Sequence, residues 1–105
     1  MLKINLEYSK GILFVRLKGN LNANTATRFK EYTVPIIKDY NIRYMVYNLK
    51  ELVSIDSIGE LALLEGSEYV NTNKGKVLLV NNNINAQINI DKASNELVAL
   101  DLLKV

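Results

Sequence analysis

The chain has 105 residues, 49% of them apolar, with 13 basic and 11 acidic side chains for a formal charge of +2. That is one domain, residues 1–105, with enough apolar residues for a core that needs no staples. It holds neither Cys nor His, which removes disulfides, Cys/His zinc sites, Cys nucleophiles and His general bases. The basic residues are scattered, so nucleic acid is not a favoured partner. No apolar run is long enough to span a bilayer and the N-terminus lacks the apolar core of a signal peptide. The expectation is a cytoplasmic protein without membrane insertion.

Leu2 to Tyr8 alternates, with Leu2, Ile4 and Leu6 on one face and Lys3, Asn5 and Glu7 on the other, as in a strand with one wet face. Ser9-Lys10-Gly11 is a turn, and Ile12 to Leu17 reads as a second strand completing an antiparallel hairpin, closed by Lys18-Gly19-Asn20. Asn22 and Asn24 offer helix caps. Ala26, Phe29, Val34 and Ile37 then form an apolar stripe from Thr25 to Tyr40, with a kink or break expected at Pro35. Tyr44 to Leu49 is a third strand, apolar on both faces apart from Asn48, as inside a sheet. Lys50 to Ile55 reads as a connection. A second helix starts at Asp56-Ser57 and runs to about Asn71, and Thr72-Asn73-Lys74-Gly75 turns into a fourth strand, Lys76 to Val80. Asn81 to Asn85 reads as loop and Gln87 to Ile90 as a short fifth strand. Asp91 or Ser94 is placed to cap a last helix carrying Leu97, Leu100 and Leu103. The order β-β-α-β-α-β-(β)-α describes a mixed α/β (α+β) fold with a four- to five-stranded sheet flanked by helices.

The stretch that draws chemical interest is Asp56-Ser57-Ile58-Gly59, at the start of the second helix. A helix start exposes backbone N–H groups and favours anions. Two readings stand side by side. Asp56 or Ser57 is simply the helix cap, with Gly59 permitting close approach to a strand. Alternatively Ser57 accepts a phosphate, adding about −1.5 to −2 charge beside Asp56 and Glu60 and repelling a docked partner. A Ser-His-Asp triad is impossible without His, and Ser57 lacks the G-x-S-x-G elbow. A Ser–Lys pair with Lys50 or Lys74 has no support in the spacing, and neither a P-loop nor a G-x-G-x-x-G is present. On the second helix, Ile58, Leu61 and Ala62 can share a face. Leu63 and Leu64 point away from its centre, either as part of a broad covered stripe or as a docking patch beside Gly66. The six tyrosines suit core or rim better than a ligand cage.

In these residues the chain resembles the STAS domain, the fold of anti-sigma factor antagonists. Leu17-Lys18-Gly19-Asn20-Leu21-Asn22 is similar to the family's L-x-G-x-L-D turn. Tyr44 to Leu49 followed by Val53-Ser54-Ile55-Asp56-Ser57-Ile58-Gly59 is similar to its central strand and phosphorylation loop, and Gly75 to Val80 to the next strand. The resemblance implies that Ser57 is the serine phosphorylated by a partner anti-sigma factor serine kinase. It further implies that Asn22, Asp56, Ser57, Ile58, Gly59, Glu60 and Leu63 lie on the partner-binding surface. The chain departs from the family pattern at Asn22, where an acidic residue is usual, at Ile58 and Glu60, and after Val80. There a family helix is shortened or missing over segment 81–87.

The resulting expectation is a non-enzymatic regulatory module with no metal and no cofactor of its own. Unphosphorylated, it binds the kinase and frees a sigma factor; phosphorylation of Ser57 ends that binding. The alternative is a STAS subunit that is not phosphorylated and docks on a lipid-transport ATPase or a signalling scaffold. A small Ser–Lys hydrolase is the remaining, disfavoured reading. The sequence leaves the oligomeric state open.

Overall fold

The computed structural model describes residues 1–81 and 88–103. Along them run β1 (Leu2–Ser9), β2 (Ile12–Leu21), α1 (Ala26–Asp39), β3 (Tyr44–Ile55), α2 (Ser57–Thr72), β4 (Lys76–Val80), β5 (Asp91–Ala93) and α3 (Glu96–Leu102). The strands form one sheet in the order β1-β2-β3-β4-β5. β1 pairs antiparallel with β2, and every later pairing is parallel. Lys10 and Gly11, both at positive φ, make the two-residue hairpin turn between Ser9 and Ile12.

Alternation along the strands sorts the core into two layers. On one face Leu13, Val15, Leu17, Met45, Tyr47 and Leu79 pack against Ala26, Phe29 and Ile37 of α1 and Ala62, Leu63 and Val70 of α2. On the other, Ile12, Phe14, Val46, Leu78 and Val80 meet only Ala99 and Leu103, at α3 and its C-cap, among buried residues. The central strands are therefore apolar on both sides, as Tyr44 to Leu49 and Lys76 to Val80 suggested.

The differences from the sequence expectation have identifiable causes. Lys18-Gly19-Asn20 does not close β2; the strand continues to Leu21. Gly19 sits at φ 104 because the Met1 carbonyl crosses where a Cβ would be, so its glycine marks a close backbone approach rather than a turn. Lys50 to Ile55 is strand, not connection. Arg16 faces Asn48 and Lys18 faces Glu51, then Gly19 faces Leu52 and Asn20 faces Ser54. Each step inserts one extra residue in β3, a β-bulge. The side chain of Asn48 accepts from the Lys50 amide at 3.0 Å and holds the first bulge. β4 pairs only with Tyr44 to Asn48, so among the described residues the far half of β3 has β2 as its single partner strand.

α1 runs unbroken through Pro35. Pro35 and Glu31, the residue whose carbonyl is left without its donor, are both exposed. Its buried stripe is Ala26, Phe29, Thr33 and Ile37, with Thr33 in the place expected for Val34. Neither Asn22 nor Asn24 caps the helix: the N-cap is Thr25, without a side-chain cap bond. Of the expected fifth strand over Gln87 to Ile90, Gln87 lies outside the described residues; residues 88–90 are not strand, and β5 is Asp91–Ala93. The Ile90 amide turns back to the Ile88 carbonyl at 2.9 Å, and Lys92 Nζ bonds both carbonyls. Ile88 and Ile90 are buried on this bend rather than on a ladder. The cap of α3 is Asn95, whose Oδ1 accepts from the Val98 amide at 2.9 Å, not Asp91 or Ser94. Most of the segment read as a shortened family helix lies outside the described residues.

Candidate functional site

The site is built where the ends of β2 and β3 meet the start of α2. The Asp56 amide donates to the Leu21 carbonyl at 3.2 Å, which carries β3 alongside β2 up to the helix. The Asp56 carboxylate then bonds in two directions. Oδ1 accepts from the Gly59 amide at 2.8 Å, and Oδ2 from the Ala23 amide at 3.1 Å. Asp56 is thus the cap of α2 and also ties the helix to the loop before α1. Ser57 is the first helical residue. It is exposed, and its hydroxyl has no hydrogen-bond partner among the described residues.

Asn22 belongs to the same surface. Its Oδ1 accepts from the Asn24 amide at 2.9 Å, and its own amide donates to Thr25 Oγ1 at 3.0 Å. Thr25 Oγ1 in turn donates to the Asn20 carbonyl at 2.9 Å. The asparagine therefore shapes a turn. Beside it Ser54 Oγ donates to Asn20 Oδ1 at 2.6 Å. Asn20, Asn22, Ser54, Asp56, Ser57 and Glu60 thus line one polar rim with no basic side chain among them.

The phase of α2 decides what surrounds Ser57. The buried residues are Gly59, Ala62, Leu63, Gly66, Ser67 and Val70, a run at helical spacing made largely of small side chains. A Cβ on Gly59 would run into the Leu21 carbonyl, and one on Gly66 into the hydroxyl of Tyr47. The helix lies this close because those glycines allow it. Leu63 is fully buried, so its place on a partner surface is not what the structure shows. Ile58 and Leu61 do not share the buried face with Ala62 but are turned outward, 48% and 53% exposed. Leu61 was not singled out for the partner surface from sequence. The signal available was the spacing of Gly59 and Gly66, seven residues apart, which sets the phase of the helix.

Beneath the site, Tyr47 donates its hydroxyl to the Leu63 carbonyl at 2.9 Å, and burial pushes its ionisation well above the usual range. It stays neutral and structural. Lys74 lies beyond the far end of the helix that Ser57 begins, and no hydrogen bond activates the Ser57 hydroxyl among the described residues. Nor do three or more acidic side chains converge on a metal position among the described residues. What the geometry offers is an exposed, unengaged hydroxyl at a helix N-terminus, where added oxygens can meet free N–H groups.

A second polar cluster lies on the α3 face. Arg16 donates through Nε and Nη2 to both oxygens of Glu96, each at 2.8 Å, and through Nη1 to Glu7 at 2.7 Å and Asn5 at 3.1 Å. Asn48 Nδ2 also donates to Glu96, at 2.7 Å. Arg16 holds the Glu96 carboxyl below the usual carboxylate range; partial burial opposes this and Asn48 reinforces it.

The STAS domain family model matches residues 3–96. The chain belongs to the STAS domain family. Solved structures share this STAS architecture at low sequence identity. An anti-sigma factor antagonist from Mycobacterium paratuberculosis superposes with a TM-score of 0.83 at 14% identity, over 100% of this chain and 96% of that one. RsbS from Moorella thermoacetica gives 0.80 at 17%, over 97% and 95%. The Bacillus cell fate determinant SpoIIAA in its phosphorylated form gives 0.72 at 17%, over 97% and 100%. Among the described residues of this STAS domain, no helix is long and apolar enough to cross a membrane.

Proposed function

We propose that this STAS domain is a protein-binding switch of the anti-sigma factor antagonist kind. Unphosphorylated, it binds an anti-sigma factor that is a serine kinase and thereby frees a sigma factor. The kinase, using its own ATP, phosphorylates Ser57 and the complex falls apart. The observation that carries this reading is the placement of Ser57: exposed, unbonded, first in α2 and flanked by the outward Ile58 and Leu61. A docked partner buries those apolar side chains and covers the hydroxyl. A phosphate there brings charge into the interface beside Asp56 and Glu60. The solved structure of SpoIIAA in a phosphorylated form supports the same use of the fold.

The test is incubation with a serine-kinase anti-sigma factor and ATP, followed by mass spectrometry and a binding assay. Phosphate is expected on Ser57 and absent from Ser57→Ala. Ser57→Asp is expected to weaken the complex by roughly tenfold or more, the scale of like charges brought together in an interface. Complex formation indifferent to Ser57→Asp would instead favour a STAS subunit docking through α2 without phosphorylation, on a transporter ATPase or a scaffold.

A further inference from the structure

We infer that the outer edge of β1 is a self-association surface, on which a second copy of this chain pairs antiparallel about Asn5 and joins two sheets into one. β1 is the end strand of the sheet, and among the described residues no strand pairs with its outer side. The direction of its backbone groups follows from one bond. The Asn20 amide donates to the Met1 carbonyl at 3.0 Å, so Met1 and Asn20 form a hydrogen-bonded pair. Alternation then turns the backbone groups of Lys3, Asn5 and Glu7 toward β2, and those of Leu2, Ile4, Leu6 and Tyr8 outward. Arg28 Nη2, 2.7 Å from the Leu2 carbonyl, agrees with this, since it reaches that carbonyl from outside the ladder.

Two copies of such a strand pair antiparallel only with outward residues opposite outward residues. Centred on Asn5, the register places Ile4 opposite Leu6 of the second copy, where the two exchange both backbone bonds. Leu2 then falls opposite Tyr8. Between them, at the closely spaced non-hydrogen-bonded positions, Lys3 falls opposite Glu7 of the second copy, and Glu7 opposite its Lys3. Registers displaced by two residues in sum place Asn5 opposite Lys3 or Glu7 and lose both charge pairs. A charged residue on an edge strand ordinarily blocks pairing; in this register the two charges complement one another. Glu7 already meets Arg16 at 2.7 Å, while Lys3 has no acidic partner among the described residues, so the pairing extends the Arg16–Glu7 contact across the axis. The exposed Tyr8 gains an apolar neighbour, Leu2, on the face where α1 packs. Ser57, Asp56 and Ile58 take no part, so the surface stands apart from the proposed phosphorylation switch.

The test is sedimentation equilibrium over a wide range of protein concentration at low and moderate salt. The wild-type chain is expected as a dimer that weakens as salt rises. Lys3→Glu puts like charges opposite each other twice per dimer and is expected to raise the dissociation constant about tenfold or more. The double variant Lys3→Glu/Glu7→Lys exchanges the signs and is expected to restore most of the loss. Leu6→Pro removes an outward N–H without touching the β1–β2 ladder, and is expected to yield a monomer with an unchanged circular dichroism spectrum. A wild-type chain that stays monomeric at millimolar concentration overturns the proposal. So does a dimer indifferent to both Lys3→Glu and Leu6→Pro.

Discussion

At Gly59 the packing of a helix against the end of a strand comes down to one missing atom. Any side chain there meets the Leu21 carbonyl, and Gly59→Ala is expected to cost about 1–3 kcal/mol in chemical denaturation, the usual scale of overpacking. Asp56→Ala removes both the cap of α2 and the bond from the Ala23 amide. Its expected cost is about 1–2 kcal/mol, with loosening of the loop before α1 that chemical shifts at Ala23 and Asn24 would report. Thr33 points the other way: its hydroxyl is buried in α1 without a hydrogen-bond partner among the described residues. Thr33→Val is expected to raise stability by about 1 kcal/mol, measured by the same denaturation. Asp56 and Ser57 were legible from their types and position before a helix. Which of the two is the cap required the geometry, because each has a side-chain oxygen suited to the role.

Elements carry their own couplings. α2 rests on β3 through Gly66 and Tyr47, so Gly66→Ala is expected to destabilise strongly, and Tyr47→Phe to relieve part of that loss by removing the oxygen in its way. A double-mutant cycle should show an interaction of about 0.5–3 kcal/mol. α3 is held to the sheet by Ala99, Leu103 and the contact of Glu96 with Arg16 and Asn48. The folded Glu96 carboxyl loses its proton more readily than the unfolded one. The contact therefore contributes fully above the ordinary carboxylate value, about 4.3, and its contribution is lost as pH falls through the lower folded value. Lower protection of the α3 amides, with exchange corrected for its intrinsic slowing in acid, is expected once pH falls below the ordinary carboxylate value, and protection in Glu96→Gln is expected to be reduced already at neutral pH. Lys50, close enough to favour the charged carboxylate, lowers the midpoint further. Element order was legible because apolar spacing reports burial. The far half of β3 was not, because two bulges break the period of two: Leu49, Leu52 and Ile55 stand three apart and look unlike a strand. The face of α2 was misjudged because glycine, alanine and serine carry most of its buried stripe, leaving Ile58 and Leu61 as the conspicuous apolar residues on the wrong side.

For the whole molecule, the mixed sheet with helices on both faces followed from the order of strands and helices, and the family resemblance agreed with it. The pairing of β5 did not follow, because the bend at Ile88 to Ile90 mimics the alternation of a strand while burying the same side chains. The long third strand has a consequence for the time course of the proposed modification of Ser57. Its inner half is clamped between β2 and β4, while Glu51 to Ile55, leading to Ser57, is stitched along one side only among the described residues. Segments bonded on one side open by local fluctuation at a fraction of the global unfolding free energy. Amide exchange is expected to be faster through Glu51 to Ile55 than through Met45 to Tyr47. In the switch proposed above, a kinase drawing Ser57 into its cleft would have only this short overhang to peel back, while the clamped centre of the sheet would keep the rest of the domain folded.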